Sequence, residues 1–494
     1  MKFVRAFNCF RRTRALFPGV ILASALSVPA HAAPPDLTPL PTLGGSGGGL
    51  ISDQQEAQIG QQVLRSLRQS APKIKDPLVQ DYLDSIVHRL IPSVPLSDKQ
   101  FVVVAIDSAD INAFAVPGNI IGVNGGLFLN AKTEQEFGSV IAHELAHLGQ
   151  RHFARRLEQQ ETSAPMTLAG MIAGIVLTAV THSDIGIAAI AGTQAMSVQN
   201  QLQYSRSNEQ EADRMGLQIL ADAGMDPRGM PRMFDIMQRK NRLQGNQVPE
   251  YLSTHPLTQS RVADTRNRAE QYPEGDFKDT LEYHLVRARI RVHYAESADD
   301  AVSIFRNEVA GADNERDTTV ARYGLAVALV NDNKTSEAID ILHKLLDQQP
   351  NRITFQVTLG NALMASDKAG QAATLLTEAL HRNPDNLPIL STLAAAELQA
   401  GNAGVAADYL RTLTRNYPQR EDFWLRLAEA EGQARNIVGV HRARAEYDIL
   451  MGDLEAAERQ LREAQQKIAV DAPMRQVITE RLAKVTEAIA RQRR

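Results

Sequence analysis

The sequence predicts an α+β fold that is mostly helical: a first domain with a small sheet set among helices, then an all-helical solenoid. Three observations predict it. The β-branched stretches FVVVAI (101–106), INAFAV (111–116) and IIGV (120–123) stand together within otherwise helical spacing. A long apolar helix follows them, and the C-terminal part repeats with a period of 34 residues. With 494 residues, 44% of them hydrophobic, the chain can fill more than one core.

The elements follow in order. Lys2, Arg5, Arg11, Arg12 and Arg14 precede an apolar run over 16–28, and Ala30-His31-Ala32 forms a small-residue cleavage site, so 1–32 reads as a signal peptide for export. Pro18, Gly19 and Pro29 interrupt that run, which falls short of the ~20 residues of a membrane span. Its removal would take away five positive charges and no negative ones, moving the net charge from −4 to −9. No nucleic-acid partner is expected of such a chain. The one cysteine, Cys9, lies inside the signal, so the exported chain would carry no thiol to mispair in an oxidising compartment.

Residues 33–51, rich in Pro and Gly, read as a flexible leader. Ile59, Val63 and Leu67, then Leu78, Tyr82, Ile86 and Leu90, keep helical spacing and are split by Pro72 and Pro77, which predicts two helices. The turn Pro117-Gly118-Asn119 joins INAFAV to IIGV, and INAFAV is a candidate edge strand whose free main-chain groups could pair with an extended peptide. Thr133 followed by Glu136 is a capping box that opens a helix expected over 134–160. Residues 162–205 hold one formal charge, Asp184, between apolar runs at 164–180 and 185–196. Each run is shorter than a span, so they read first as a lid or packing element, next as a peripheral membrane contact, and last as a hairpin through the bilayer.

The repeats keep three columns in register. Pro350, Pro384 and Pro418 are 34 apart, as are Leu325, Leu359, Leu393 and Leu427, and Ala328, Ala362, Ala396 and Ala430. This period, with small residues at helix crossings, resembles the tetratricopeptide repeat, whose stacked helix pairs leave a surface for a protein partner. GNAGVAADYL at 401 recurs as GDLEAAERQL at 452, a step of 51, so an extra helix is expected near 424–442. A weaker copy runs over 285–309. The domains are accordingly expected at 52–272 and 273–494, with few contacts crossing near Tyr272-Pro273.

The chemistry centres on HELAHLGQRH (143–152). His143 and His147 share a helix face at i and i+4, so both can direct a ring nitrogen at one ion, with Glu144 beside it. A zinc ion there would lower the pKa of its water towards ~7, and a neighbouring carboxylate can take the proton as water attacks a peptide carbonyl. A third ligand is needed. His152 resembles the last position of the metzincin pattern with one residue missing, which puts it about 180° out of phase with His143 on a straight helix. Glu209, in SRSNEQEADRMG, is the other candidate, with Asp213 on the same face as an acceptor for a ligand histidine or an aid to proton transfer.

HExxH, the downstream ExxAD preceded by Ser-Arg, INAFAVPG ahead of a Gly-Gly-Leu turn, and Thr-His-Pro at 254–256 together resemble the M48 family of zinc metallopeptidases over about residues 52–272. The resemblance implies a zincin-like metalloprotease domain with one Zn²⁺, held by His143, His147 and Glu209, with Glu144 as general base and Asp213 as an auxiliary acid. With the signal and repeats added, the chain resembles the family's periplasmic branch. That implies unfolded or stalled outer-membrane β-barrel proteins as clients, and the barrel-assembly machinery and a lipopolysaccharide-transport barrel as partners. Two readings stand: an endopeptidase whose repeats recruit clients, which the full set of site residues favours, or mainly a chaperone or docking scaffold with occasional proteolysis. His255 reads as a turn histidine fixed by Pro256, as a donor to a developing oxyanion, or as a fourth zinc ligand closing the water position. We favour the last, because the segment lies just before the repeats.

Overall fold

The computed structural model describes residues 52–96, 98–159, 195–243, 250–470 and 472–493. The expected signal peptide and leader, and most of the low-charge stretch 162–205, lie outside the described residues. Among the described residues no helix is long and apolar enough to cross a membrane.

Helix α1 (Asp53–Ser70) opens on a capping box between Ser52 and Gln55, and α2 (Pro77–Leu90) on Asp76 with Pro77 in its first turn. The strands β1 (Val102–Ile106), β2 (Ala113–Val116) and β3 (Ile120–Asn124) form one sheet in the order β1-β3-β2. β1 runs parallel to β3 and β2 antiparallel to it. Gly118 (φ +80°) and Asn119 (φ +58°) close the β2–β3 hairpin, the backbone that Gly and Asn tolerate best. Alternation sorts the strand residues onto two faces. Val104, Ile106, Val116 and Ile120 meet Ile59, Val63 and Leu67 of α1, whereas Val103, Ala105, Ile121 and Val123 join the main core with α2.

That core is roofed by α3 (Gly125–Asn130) and α4 (Glu134–Gly149), the latter capped by Thr133 and Glu136 as the sequence indicates. One expectation is corrected. The helix does not run over 134–160: it stops at Gly149, Arg151 adopts φ +51°, and α5 (His152–Gln159) restarts in a new direction. Gly149 packs where a side chain would strike Val94 at 2.9 Å, so the loop after α2 presses on the break. Next come α6 (Ala195–Asp222), which lies along α4, then α7 (Gly229–Leu243), α8 (Glu250–Thr254) and α9 (Gln259–Ala269).

From α10 (Leu281–His293) and α11 (Ala298–Ala310) onwards the chain is a solenoid of helix pairs. Its regular part comprises α12 (Glu315–Asn331), α13 (Thr335–Gln348), α14 (Ile353–Ala365), α15 (Ala369–Arg382), α16 (Leu387–Gln399) and α17 (Ala403–Asn416). α18 (Glu421–Gln433) and α19 (Ile437–Met451) each start 34 residues after α16 and α17 and keep the regular step, and α20 (Leu454–Lys467) and α21 (Met474–Gln492) follow as a last pair. The extra helix expected near 424–442 is therefore not found: that stretch lies in the regular pair, and the step of 51 instead sets the copy at 452 on α20, the first helix of the last pair.

The expectation of few contacts near Tyr272-Pro273 is not met. α10 has two buried faces: Tyr283, Val286 and Ile290 belong to the first core, with the sheet and α2–α4, and Leu285, Ala288 and Val292 to the solenoid core. Tyr283 closes an aromatic cluster with Tyr82, Phe128 and Phe137, and its hydroxyl donates to the Ala131 carbonyl at 2.8 Å. Arg287 donates to the Phe128 carbonyl at 2.9 Å, and Arg289 to Asp76 at 2.8 Å. α2 in turn lies against α10 and α16, with Leu78 inside the solenoid core. Farther along, Arg68 donates to the carbonyls of Gln419 (2.5 Å) and Leu450 (3.2 Å), and Lys73 pairs with Glu421.

A chain ending at Tyr272 should therefore not fold stably. Burying each of Tyr283, Val286 and Ile290 stabilises by roughly 1.5–3 kcal/mol, and their summed loss is comparable to the whole stability of a domain, about 5–15 kcal/mol. A chain ending after Tyr294 should remain soluble and show a cooperative melt that the shorter one lacks. Equal melts would show that α10 is dispensable to the first core.

Candidate metal centre

α4 sets His143 and His147 one turn apart, and their Nε2 atoms face each other at 3.0 Å. α6 brings Glu209 against both: Oε2 lies 3.5 Å from His143 Nε2 and Oε1 3.5 Å from His147 Nε2. This approach needs a small residue. Gly216 on α6 rests where an added Cβ would sit 3.4 Å from the His143 backbone and 2.7 Å from the Met230 methyl. His255, just past α8, stacks on Tyr251 with ring centroids 4.7 Å apart and turns Nδ1 to both Glu209 oxygens at 3.1 Å. One ligand atom from each of His143, His147, Glu209 and His255 lies within 4.8 Å of the others.

The donor set fits a metal ion. Three imidazoles and a carboxylate suit zinc, whose bonds of about 2.0–2.1 Å place tetrahedral ligand atoms roughly 3.3–3.5 Å apart, close to the separations here. Packed without a cation, these nitrogens and oxygens crowd one another in a buried pocket. The ionisation of the cluster follows from that crowding. Burial alone would depress His143, but hydrogen bonding to Asp213 and Glu209 and their charge bring it up to about 9. Burial pushes His147 well below its ordinary value. Burial would raise Glu209, yet the charge of His255 and its bonds to His143 and His255 hold it well below the usual carboxylate range. Metal uptake must displace the proton on His143, so binding should weaken as pH falls.

Behind each histidine stands a partner for the other ring nitrogen. Asp213 Oδ1 lies 3.1 Å from His143 Nδ1, and Arg261 grips Asp213 in a fork with two bonds of 2.7 Å. The same guanidinium reaches Glu209 Oε2 at 2.9 Å. Asp213, expected as an auxiliary acid, thus has both oxygens engaged on the far side of His143, the place of an orienting acceptor. His152, out of phase on a straight helix, is carried by the break after Gly149 to His147, Nδ1 to Nδ1 at 2.8 Å, and its Nε2 meets Glu211 at 3.3 Å. It stands behind His147 and is not among the four clustered groups. Sequence reasoning missed Arg261 and Tyr251. Arg261 sits in QSRVADTRNR, which reads as an ordinary charged helix, yet its side chain is only 3% exposed.

Glu144 is buried beside the cluster, which raises its pKa mainly through desolvation. Its Oε2 accepts from the Ala115 N–H at 3.2 Å, and its Oε1 lies 3.5 Å from His255 Nε2. Ala115 belongs to β2, an edge of the sheet. The Asn124 N–H donates to the Asn112 carbonyl at 3.0 Å, so by alternation Asn112, Phe114 and Val116 turn their main chain to β3. Ala113 and Ala115 turn theirs away from β3; Ala113 is fully buried and the Ala115 N–H is taken by Glu144, which leaves the half-buried Ala115 carbonyl on the outer edge.

Residues 77–269 match the family model of Peptidase family M48, and residues 363–430 that of a tetratricopeptide repeat. The chain belongs to the M48 metallopeptidase family. It is 38% identical over 343 residues, 69% of this chain and 70% of the other, to the putative beta-barrel assembly-enhancing protease of Vibrio cholerae. It is 37% identical over 311 residues to the beta-barrel assembly-enhancing protease of Escherichia coli, spanning 63% of each chain. The mitochondrial metalloendopeptidase OMA1 of Bos taurus is 32% identical over 190 residues, 36% of this chain and 35% of that one.

Proposed function

We propose that the chain is a periplasmic zinc-dependent endopeptidase that degrades, or assists the assembly of, misassembled outer-membrane β-barrel proteins. The carrying observation is the placement of Glu144 between the four-group cluster and the free edge of β2. His143, His147 and Glu209 would hold the ion, with Asp213 and His152 orienting the two histidines. Zinc in that place would supply Lewis-acid activation of water and of the scissile carbonyl. Glu144, desolvated and fixed at the strand edge by the Ala115 N–H, takes the proton from the attacking water and passes it to the leaving amine.

An extended client segment would add to β2 at the outer carbonyl of Ala115, a mode that reads main chain more than side chains and suits unassembled strands. The barrel-assembly machinery and a lipopolysaccharide-transport barrel are the partners this role implies. The relatives named for barrel assembly, and the sequence signs of export, support that setting.

The experiment is metal analysis paired with cleavage of an unfolded barrel protein. Glu209→Ala should lose bound zinc and activity, and His152→Ala should retain stoichiometric zinc. The reverse pattern would return the third-ligand role to His152. His255 is read as the fourth ligand, closing the position that water needs. His255→Ala should then raise proteolysis, self-cleavage included, at unchanged zinc content. A loss of about 10²-fold would instead mark it as an oxyanion donor, and no change as a turn residue.

A further inference from the structure

The solenoid cannot offer its whole surface to partners, because α2 lies against α10 and α16 and sends Leu78 into the solenoid core. Beyond α17 the situation changes. There α18 and α19 floor a cavity of about 470 Å³ that lies between α17 and α21.

Its lining has a definite character. Trp424 forms part of the wall, with its indole N–H already donated to the Pro418 carbonyl at 2.9 Å, so the ring offers only its apolar surface. Met474 and Val477, 37% and 50% exposed, continue that wall. Cations outnumber anions, and the anions are largely spent: Glu431 accepts from Arg411 at 3.0 Å and Glu446 from Arg481 at 2.8 Å. Arg442, half-buried in the same lining, makes no hydrogen bond or ion pair with any described residue. Burial holds its pKa below the ordinary arginine value, outweighing the attraction of Glu446 and Glu431, whose carboxylates bond to Arg481 and Arg411 instead.

We propose that this groove docks an extended segment of a partner protein in which a carboxylate neighbours aromatic or aliphatic side chains. The carboxylate meets Arg442, with Arg415 and Lys484 at the rim, and the apolar side chain lies on Trp424, Met474 and Val477. A half-buried guanidinium that donates to no described residue leaves its donor fork open, and a partner carboxylate can fill it with a charge-assisted, two-bond pair. Buried tryptophan and arginine anchors are also what dominates binding at protein interfaces. The site would serve the recruiting role proposed above. It is tested by binding alone, so its failure leaves the peptidase reading standing.

Trp424 is the only tryptophan in the chain, so intrinsic emission of the full-length protein reports on this groove. The probe is the blocked peptide acetyl-GVFDVFDG-amide, read within seconds of mixing, with acetyl-GVFKVFKG-amide as its cationic counterpart. The acidic peptide should shift the emission saturably and lose affinity as salt rises. The cationic one should not bind. Arg442→Glu should weaken binding by about tenfold or more, and Arg442→Lys by less. Val477→Asp should weaken it as well, whereas Leu425→Asp, exposed but lining a different cavity, should not. Unchanged circular dichroism would show each variant folded. No saturable shift, equal binding of the cationic peptide, or wild-type affinity in folded Arg442→Glu would overturn the proposal. An emission change on raising protein concentration alone would assign the groove to a second copy of the chain, and overturn it likewise.

Discussion

Glu144→Gln is expected to retain the metal and lose peptide hydrolysis by about 10³-fold or more, some 4 kcal/mol of transition-state stabilisation. The amide preserves the shape of the side chain and its contact with the Ala115 N–H, but it cannot take a proton. His143, His147 and Glu209, proposed above to hold the ion, are untouched, so metal content measured beside single-turnover cleavage should match the wild type. A variant with wild-type turnover would remove Glu144 from the chemistry. Stability gives a second readout, because burial raises the Glu144 pKa above its unfolded value. Such a group stabilises fully below the unfolded pKa and loses that contribution as pH rises through the folded one. In metal-free protein the Gln variant should therefore gain on the wild type as pH rises, and match it in acid.

Arg261→Met is expected to be the most damaging change that touches neither ligand nor base. The guanidinium holds Asp213 through two hydrogen bonds, forms an ion pair with Glu209, donates to the Pro256 carbonyl, and lies over the Phe234 ring, 5.4 Å from the centroid. Methionine fills most of the volume but leaves two buried carboxylates without their cation. Removing one partner of a buried ion pair costs about 3–5 kcal/mol, mostly from the charge left behind. Denaturant unfolding of the metal-free protein should show that loss. Added zinc should recover part of it, since the ion neutralises Glu209. Arg261→Lys should restore little, because an ammonium cannot make the fork to Asp213 and reach Glu209 together. A midpoint within about 1 kcal/mol of the wild type would show that the carboxylates find other partners.

The sequence and the tertiary structure divide the credit by the range of the interactions. Hairpin, the capping box at Thr133 and the His143/His147 pair were legible because each is decided within a few residues: Gly118 and Asn119 by backbone sterics, Thr133 and Glu136 by reciprocal bonds, the histidines by helical phase. The solenoid was legible for a related reason, since each repeat packs on its neighbours and the same small and branched residues must recur. Glu209 stood out as a candidate through its i, i+4 spacing to Asp213, and the family resemblance then gave it the third place.

Only the folded chain decided the rest. Periodicity marks one buried face, so it could not show that α10 carries two, joining both cores through Tyr283 and Leu285. Nor could a straight-helix phase argument foresee that the break after Gly149 swings His152 onto His147. Arg261 completes the site from a helix whose sequence looks solvent-exposed, because the charges that bury it, Asp213 and Glu209, come from another helix roughly fifty residues earlier. By itself the sequence determined the elements, the repeat and the zinc-type motif, all of which rest on local sterics and period. Which groups stand behind the ligands, and how the solenoid interlocks with the peptidase core, are questions of packing between distant segments, where no local rule operates.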